Sequence, residues 1–372
     1  MTLIDHLQTL KTANGHKLTH GLSDEIIQSF INKDSNLSEA IENALQQYDF
    51  VKQSYPEIIN MDEADQVAFV QHSFVNFYAG DAINPYVALA AKGPWVITLK
   101  GAVLHDNGGY GMLGAGHAPD YVLKTMAKPH VMANIMTGNI YQRRFTDLLQ
   151  KEIGLTRDSC PFKQFICMNS GSEAVTVAAR ISDVNAKNLT GQKGEHYGKT
   201  IKIMALEGAF HGRTDRPAQY SDSSLKSYKK SLASFQGRNN LITVPINDIE
   251  ALEQAFDHAA QNNEFIESLF MEPVMGEGNP GVALTTEFYA KARQLTQEHG
   301  SLLLIDSIQA GLRAQGCLSI CDYPGFEDLP APDMETYSKA VNAGHYPLSV
   351  LALNEKAADL YVVGIYGNTM TA

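Results

Sequence analysis

Two kinds of hydrophobic pattern divide the chain at about residue 160. Before this point, residues 24–52 and 62–78 repeat apolar side chains three and four positions apart, which predicts amphipathic helices. The run WVITLKGAVLH at 95–105 predicts two strands joined as a hairpin. After residue 160, short apolar runs rich in β-branched residues alternate with helical patterns.

Seven of the later runs are candidate strands, and most of them are nearly continuous in apolar residues. Such runs suit strands that are buried on both faces of a sheet. They are QFICM (164–168), TIKIMAL (200–206), NLITVPI (240–246), IESLFMEPV (266–274), SLLLID (301–306), DMETYS (333–338) and LSVLALN (348–354). Helical segments between several of them predict an α/β fold with a mostly parallel sheet of about seven strands. In such a sheet, ligands bind at the carboxyl ends of the strands.

Two of the intervening helices have recognisable ends. Asn247 can cap the first helix, with Glu250 three residues later. The second runs from about Thr286 to His299 and stops at Gly300, because glycine readily adopts the left-handed conformation that follows a helix.

Composition and charge exclude several classes of protein. The chain has 372 residues, enough for one large domain and a smaller one, and its net charge is −12. This charge disfavours nucleic acid as the main partner, because phosphate binding requires clustered Lys and Arg. The N-terminal residues contain no apolar run long enough for a signal peptide or a membrane span. Four cysteines in a chain this long indicate neither a disulfide framework nor a metal site, so we expect a cytoplasmic protein.

The segment MNSGSEA follows the first of the seven strands and predicts the start of a helix. Ser170 and Glu173 match a capping box. Gly171 and Ser172 then lie in the first turn, where unpaired amides and the helix dipole favour an anion such as phosphate. Taken alone, the motif favours a plain capped helix over a phosphate site.

Three further strand ends carry an arginine, an aspartate and a lysine. The loop GAFHGRT (208–214) contains Phe210 and Arg213, and Arg213 could hold a carboxylate, although an ordinary surface loop is an equal alternative. Asp306 ends an apolar strand, where its carboxylate needs a salt bridge or a protonated ligand nitrogen. Lys339 lies among small and apolar residues, and desolvation there favours the neutral amine that attacks aldehydes. These groups together are what pyridoxal 5′-phosphate requires.

Two glycine-containing segments add candidates for the same pocket. GGYGMLG (108–114) contains G-x-G-x-x-G, but no acidic residue follows about 20 positions later, so a dinucleotide site is disfavoured. We expect a glycine loop beside a pocket, with Tyr110 as its aromatic residue. EPVMGEG (272–278) places Glu272 and Glu277 at a strand end.

The order of these motifs closely resembles that of the class III aminotransferases, which are pyridoxal-phosphate enzymes of fold type I. Ornithine and 4-aminobutyrate aminotransferases belong to this family. The matching order is NSGSEA, FHGRT, EPVMGEG, a strand ending in DSIQAG, and SK followed by a glycine and YPL. The resemblance covers roughly residues 85–372, and five ordered motifs are far more specific than any one of them.

The resemblance implies a role for each matching residue. Lys339 forms the Schiff base with pyridoxal phosphate and then acts as the general base, while Asp306 pairs with the pyridine nitrogen. Gly171 and Ser172 bind the phosphate. The ring is held by Phe210 and Ile308 on its faces and by Gln309 at its hydroxyl. The implied substrate-binding residues are Arg213, Tyr110 and Glu277, and a homodimer is implied because Thr369 would reach the phosphate in the neighbouring subunit.

The resemblance also implies the domains and the reaction. Residues 131–372 form the large cofactor-binding domain, 85–130 the N-terminal part of the small domain, and 1–84 a helical extension. We expect the C-terminal small domain of the family to be missing. The implied reaction moves an amino group to a 2-oxo acid, with a terminal amine of an amino acid or diamine as a candidate donor. An aminomutase, a racemase, a decarboxylase and a truncated non-catalytic homologue are the alternatives.

Three departures from the family pattern stand near the strand that ends at Asp306. Ser307 replaces the usual acidic residue, and Arg313 in LRAQG is displaced by one position. The segment CLSICDYPGFEDLPAPD (317–333) is unusually rich in proline and acidic residues.

Overall fold

The computed structural model describes residues 2–132 and 134–367, with the side chains of Tyr110 and Arg313 not described. The chain forms two compact units. The first contains residues 1–109 and 113–130, and the second contains residues 110–112 and 131–372. The division of the first 130 residues at residue 84 stays a prediction.

The first unit packs helices against a small antiparallel sheet. Its helices are α1 (Leu3–Lys11), α2 (Asp24–Ile31), α3 (Ser35–Ser54), α4 (Glu63–Gln71) and α5 (Asp120–Met126). Its strands β1 (Ala88–Lys92), β2 (Trp95–Thr98) and β3 (Val103–His105) lie in the order β1–β2–β3, so the predicted hairpin at 95–105 is confirmed. The core includes Leu37 and Ile41 of α3 and Trp95 and Ile97 of β2.

The predicted N-terminal helices are confirmed in part. The stretch 24–52 is divided at 32–34, where Asp34 starts α3 by accepting the N–H of Asn36 at 3.0 Å. The stretch 62–78 is an α-helix only as far as Gln71. Beyond it, Asn76 accepts the N–H of Tyr78 at 2.9 Å, and such local bonds compete with helical ones.

A seven-stranded sheet forms the centre of the second unit. Its strands are β4 (Gln164–Met168), β5 (Thr200–Leu206), β6 (Leu241–Val244), β7 (Glu264–Met271), β8 (Leu302–Asp306), β9 (Met334–Tyr337) and β10 (Ser349–Leu353). They lie in the order β4–β10–β9–β8–β7–β5–β6. β10 is antiparallel to both neighbours, and the other neighbouring pairs are parallel. The predicted α/β fold with a mostly parallel sheet is confirmed.

Helices cover both faces of this sheet. The helices of the second unit are α6 (Ile140–Glu152), α7 (Gly171–Thr190), α8 (Asp215–Tyr220), α9 (Asp222–Ser231), α10 (Ile249–Gln261), α11 (Thr286–Glu298), α12 (Gly311–Gln315), α13 (Lys339–Asn342) and α14 (Glu355–Asp359). α7 packs with Leu302 and Leu304 of β8, whereas α10 and α11 pack with Leu303 and Ile305. This alternation puts the helices on opposite faces. Among the described residues, no helix combines the length and apolar character needed to cross a bilayer.

The predicted C-terminal end of α11 is confirmed, whereas the predicted N-terminal cap of α10 is wrong. α11 ends at Glu298, and Gly300 has φ of +73°. α10 is capped by Asp248, which accepts the N–H of Ala251 at 2.9 Å, rather than by Asn247. Asn247 itself has φ of +63°, a conformation that asparagine tolerates, and its side chain bonds instead to residues 283 and 285.

Candidate active site

Six strands of the large sheet direct their carboxyl ends to one edge. These are β4, β5, β6, β7, β8 and β9, because β10 is antiparallel to both β4 and β9 while the others run parallel. The motifs at 169–173, 208–214, 272–278, 306–309 and 338–339 follow five of these strands and therefore meet at this edge. This edge is where an open α/β sheet binds its ligands.

Asp306 is buried at this edge with only 3% of its surface exposed. Its Oδ1 accepts the hydroxyl of Thr336 at 3.0 Å and the N–H of Ile308 at 3.2 Å. Its Oδ2 lies 2.9 Å from Nδ1 of His211. The imidazole therefore supplies the partner that a buried carboxylate requires. Nε2 of His211 is buried and has no hydrogen-bond partner among the described residues.

The loop after β5 brings an aromatic ring and a guanidinium together. The guanidinium carbon of Arg213 lies 4.5 Å from the ring centroid of Phe210, a cation–π contact. Nη2 of Arg213 also lies 3.4 Å from Oε1 of Glu277. Both side chains of this ion pair are 40% exposed, so solvent and solutes can reach them.

Glu272 connects the loops that follow β5 and β7. Its two carboxylate oxygens accept the backbone N–H groups of Phe210 and Gly276, each at 2.9 Å. Burial raises the pKa of Glu272 to about 7, although His211 and the two backbone bonds act in the opposite direction. A Cβ atom at Gly276 would overlap Oε1 of Gln309, so glycine is required for Gln309 to lie where it does.

The helix α7 begins at the predicted phosphate-binding residues. Ser170 caps it by accepting the N–H of Glu173 at 3.3 Å. The carboxylate of Glu173 accepts the N–H of Asn169 at 2.7 Å instead of returning to Ser170, so the predicted capping box is only half formed. Gly171 lies against Ile308, because a Cβ at Gly171 would come within 2.7 Å of Cδ1 of Ile308. The first turn of α7 therefore adjoins the end of β8.

Lys339 is half-buried and opens the short helix α13 directly after β9. The preceding Ser338 donates its hydroxyl to the carbonyl of Leu348 at 3.0 Å, which ties this turn to β10. Two residues earlier, Thr336 holds Asp306. Lys339 and Asp306 therefore lie at the ends of neighbouring parallel strands.

Nine of the predicted site residues follow strand ends at this one edge of the sheet. They are Gly171, Ser172, Phe210, Arg213, Glu277, Asp306, Ile308, Gln309 and Lys339. The side chain of Tyr110 is not among those described, and Thr369 lies outside the described residues. The individual roles of these residues in binding remain predictions.

Two residues of the site, His211 and Thr336, had no role predicted from the sequence. A usable signal was present for His211, since Asp306 needs a partner and His211 stands in a strand-end loop beside Phe210. Thr336 carried no such signal, because its contact depends on the register between β8 and β9.

Comparison with known proteins assigns the family. The model of the class III aminotransferase family matches residues 78–372. Ornithine aminotransferase 2 of Staphylococcus aureus is 28% identical over 292 residues, which cover 77% of this chain and 66% of that protein. Ornithine aminotransferase 1 of Staphylococcus saprophyticus is 27% identical over 264 residues, covering 70% of this chain and 60% of that protein. The match thus spans less than two thirds of the length of these relatives.

Solved structures support the same fold. The ornithine aminotransferase of Toxoplasma gondii ME49 superimposes with a TM-score of 0.66 and 21% identity, covering 86% of this chain and 70% of that one. A transaminase from the marine bacterium Virgibacillus gives a TM-score of 0.65 at 15% identity, covering 82% of this chain and 69% of that one. With a family match that covers most of its length, this chain belongs to the class III aminotransferases.

Proposed function

We propose that this protein binds pyridoxal phosphate at the carboxyl edge of its large sheet and transfers an amino group to a 2-oxo acid. The observation that carries the proposal is the buried Asp306, oriented by His211 and Thr336, at the end of the strand beside the one that leads to Lys339. Family membership supports it. A similar Toxoplasma gondii ornithine aminotransferase is described as having partial occupancy of PLP at its active site.

The donor and acceptor groups present fit this cofactor. A carboxylate oxygen can accept two hydrogen bonds, so Oδ2 of Asp306 can receive a protonated pyridine nitrogen in addition to His211. The amides of Gly171 and Ser172 lie at the N-terminus of a 20-residue helix, where the dipole favours phosphate. Gly276 leaves the space that the side chain of Gln309 uses.

Each of these residues has a separable task. When bound, pyridoxal phosphate withdraws electrons from the substrate carbon that bears the amine. Asp306 would keep the pyridine nitrogen protonated through its negative charge, and His211 and Thr336 would fix the direction of that carboxylate. Nζ of Lys339 would hold the cofactor covalently and, once released by the incoming amine, take the proton from the substrate carbon.

Arg213 supports a substrate that carries a carboxylate. Its guanidinium is steadied by the ring of Phe210 and is reachable from solvent. A substrate carboxylate could replace Glu277 as its partner, because a charge-assisted contact with good geometry is stronger than the present 3.4 Å pair. This favours a 2-oxo acid acceptor, with a terminal amine of an amino acid or diamine as the donor.

We further propose that the protein is a cytoplasmic homodimer. Several apolar side chains of the segment 131–140 are exposed, including Met132 at 76% and Met136 at 80%. A cluster of exposed apolar side chains of this kind is typical of a surface that another chain covers. Thr369 of the second subunit would then contribute to the phosphate site.

The proposal is tested by recording the visible absorption spectra of purified wild type and of Lys339→Ala, each with pyridoxal phosphate. We expect a band from covalently held cofactor, trapped on Lys339 by borohydride reduction and located by mass spectrometry. Ornithine or another diamine should bleach the band, and 2-oxoglutarate should restore it with release of glutamate. Bleaching without consumption of a 2-oxo acid would favour an aminomutase, a racemase or a decarboxylase. A folded protein that binds no cofactor would refute the proposal and favour the non-catalytic alternative.

A further inference from the structure

The residue that follows Asp306 makes a contact that the proposed reaction does not use. The hydroxyl of Ser307 donates to Oε1 of Glu335, on the neighbouring strand β9, at 2.5 Å. Glu335 has no exposed surface. A carboxylate buried this completely is costly unless donors satisfy its oxygens.

Glu335 finds these donors in two separate segments, one at residue 307 and the other at residues 319–320. Besides Ser307, Oε1 accepts the N–H of Ile320 at 2.9 Å, and Oε2 accepts the hydroxyl of Ser319 at 2.6 Å. The carboxylate therefore joins the end of β8 to the start of the acidic, proline-rich segment 317–333. All three hydrogen bonds are buried and 2.5 to 2.9 Å long, and the low polarity of the interior strengthens them, so this junction is a firm one.

The same strand ends also hold the candidate cofactor site. Thr336, next to Glu335, donates to Asp306, and the N–H of Ser307 donates to the carbonyl of Thr336 at 3.0 Å. Successive residues of a strand point to opposite faces of the sheet. Glu335 thus holds the end of β8 on one face while Thr336 holds it on the face of Asp306.

We propose that Glu335 is a positioning residue for the cofactor site. It fixes Ser307, and through the backbone of Ser307 it fixes the carboxylate of Asp306 and the side chains of Ile308 and Gln309. The identity of the ligand, pyridoxal phosphate, rests on the proposed function. Glu335 orders the end of β8 whether or not a ligand is bound.

Asp333 offers a matched control on the same stretch of chain. Its carboxylate is 1% exposed and is also fully engaged, by Arg293 at 2.7 and 3.1 Å and by the N–H of Leu303 at 2.9 Å. It precedes β9, at the opposite end of that strand from Lys339. Asp333→Asn should therefore lower stability without altering the site.

The experiment compares Glu335→Gln, Ser307→Ala and Asp333→Asn in the full chain. A glutamine keeps the shape of Glu335, but its amide nitrogen cannot accept the hydrogen bonds that one carboxylate oxygen now accepts. We expect Glu335→Gln to bind pyridoxal phosphate about tenfold more weakly in equilibrium dialysis. Ser307→Ala should weaken binding in the same direction, and Asp333→Asn should keep the wild-type affinity. The effects of Ser307→Ala and Glu335→Gln should add up to less than their sum in the double variant, since the two residues contact each other.

Amide hydrogen exchange of the cofactor-free proteins supplies a second readout. Glu335→Gln should speed exchange at residues 307–309 and 319–320, while Asp333→Asn should leave those amides unchanged relative to the rest of the sheet.

Unchanged affinity together with unchanged local exchange in Glu335→Gln would overturn the inference, and so would equal effects of Glu335→Gln and Asp333→Asn. If Glu335→Gln fails to fold, Ser307→Ala decides alone, since it removes one donor only. A wild type that binds no cofactor would refute the proposed function, and the exchange comparison would still decide the role of Glu335.

Discussion

The hydroxyl of Thr336 donates a 3.0 Å hydrogen bond to Oδ1 of Asp306, and the imidazole of His211 lies 2.9 Å from Oδ2 of the same carboxylate. Both contacts lie in the buried interior. The low polarity there strengthens them and keeps the carboxylate in one orientation. The charge of Asp306 is thus directed before any ligand arrives.

Replacing Asp306 by asparagine tests that charge directly. Asp306→Asn preserves shape but removes the negative charge that would keep the pyridine nitrogen protonated. We expect kcat to fall about 10²–10³-fold, the scale of losing one preorganised electrostatic contact, with cofactor still bound. Thr336→Val, which removes a hydrogen bond and keeps the charge, should cost less. Single-turnover absorption kinetics would measure both, and equal rates for Asp306→Asn and wild type would contradict the role.

Lys339 should be indispensable if the proposed mechanism holds, since that mechanism assigns it both the covalent attachment and the base. Lys339→Ala is expected to abolish turnover and to leave no cofactor attached after borohydride reduction. Lys356→Ala, in α14, is the matched control and should behave as wild type. Turnover by Lys339→Ala at the wild-type rate would exclude the proposed mechanism.

Two substitutions of His211 separate the hydrogen bond that it makes with Asp306 from the packing of its ring. The substitution His211→Asn can keep a hydrogen-bond donor near the position of Nδ1, because an asparagine side chain ends in an amide, whereas His211→Leu removes the donor. We expect His211→Leu to lower kcat about tenfold and His211→Asn to retain more of it. Steady-state kinetics at saturating substrate would show the difference, and identical losses would mean that the ring acts by packing alone.

Gly276 should be intolerant of a side chain. Gly276→Ala would drive a Cβ into Oε1 of Gln309 and close to Glu272, so we expect weaker binding of pyridoxal phosphate. Gly80→Ala is a suitable control, because a Cβ at that position would meet nothing within 4 Å. Equilibrium dialysis would compare the two, and equal affinities would show that Gln309 moves aside at little cost.

Stability should depend on pH through two buried carboxyl groups. Burial raises the pKa of both Glu272 and Glu335 to about 7, from an ordinary value of 4.5. The folded state then binds more protons than the unfolded state between these values, so these groups make stability fall as pH rises from about 4.5 to about 7. The slope is at most about 1.4 kcal/mol per pH unit for each group.

Urea unfolding of the cofactor-free protein between about pH 5 and about pH 8 would measure this dependence. Glu272→Gln and Glu335→Gln should each flatten the decline, because a glutamine does not titrate. A decline that is as steep in both glutamine variants as in wild type would show that other groups cause it.

Much of the architecture could be predicted from the sequence. The seven strands were predictable because continuous apolar runs such as 301–306 suit buried strands, and their alternation with helices favours a largely parallel sheet. Asp306 was identifiable because a charged residue at the end of such a run has few roles, and Lys339 because it lies among small and apolar residues. The residue that caps a helix was harder to predict. Asn247 adopts a positive φ, and Asp248 caps α10 in its place.

The tertiary structure alone decided which side chains meet. His211 and Asp306 are 95 positions apart, and Ser307 and Glu335 are 28 apart, so no local pattern links either pair. Their contacts depend on strand order and register, which place β5, β7, β8 and β9 side by side with their carboxyl ends together. Periodicity in a sequence reports which face of an element is buried, but not which residue of another element lies against it. Thus the sequence determined the strands and the charged residues at their ends, and only the folded sheet determined how those charges are held.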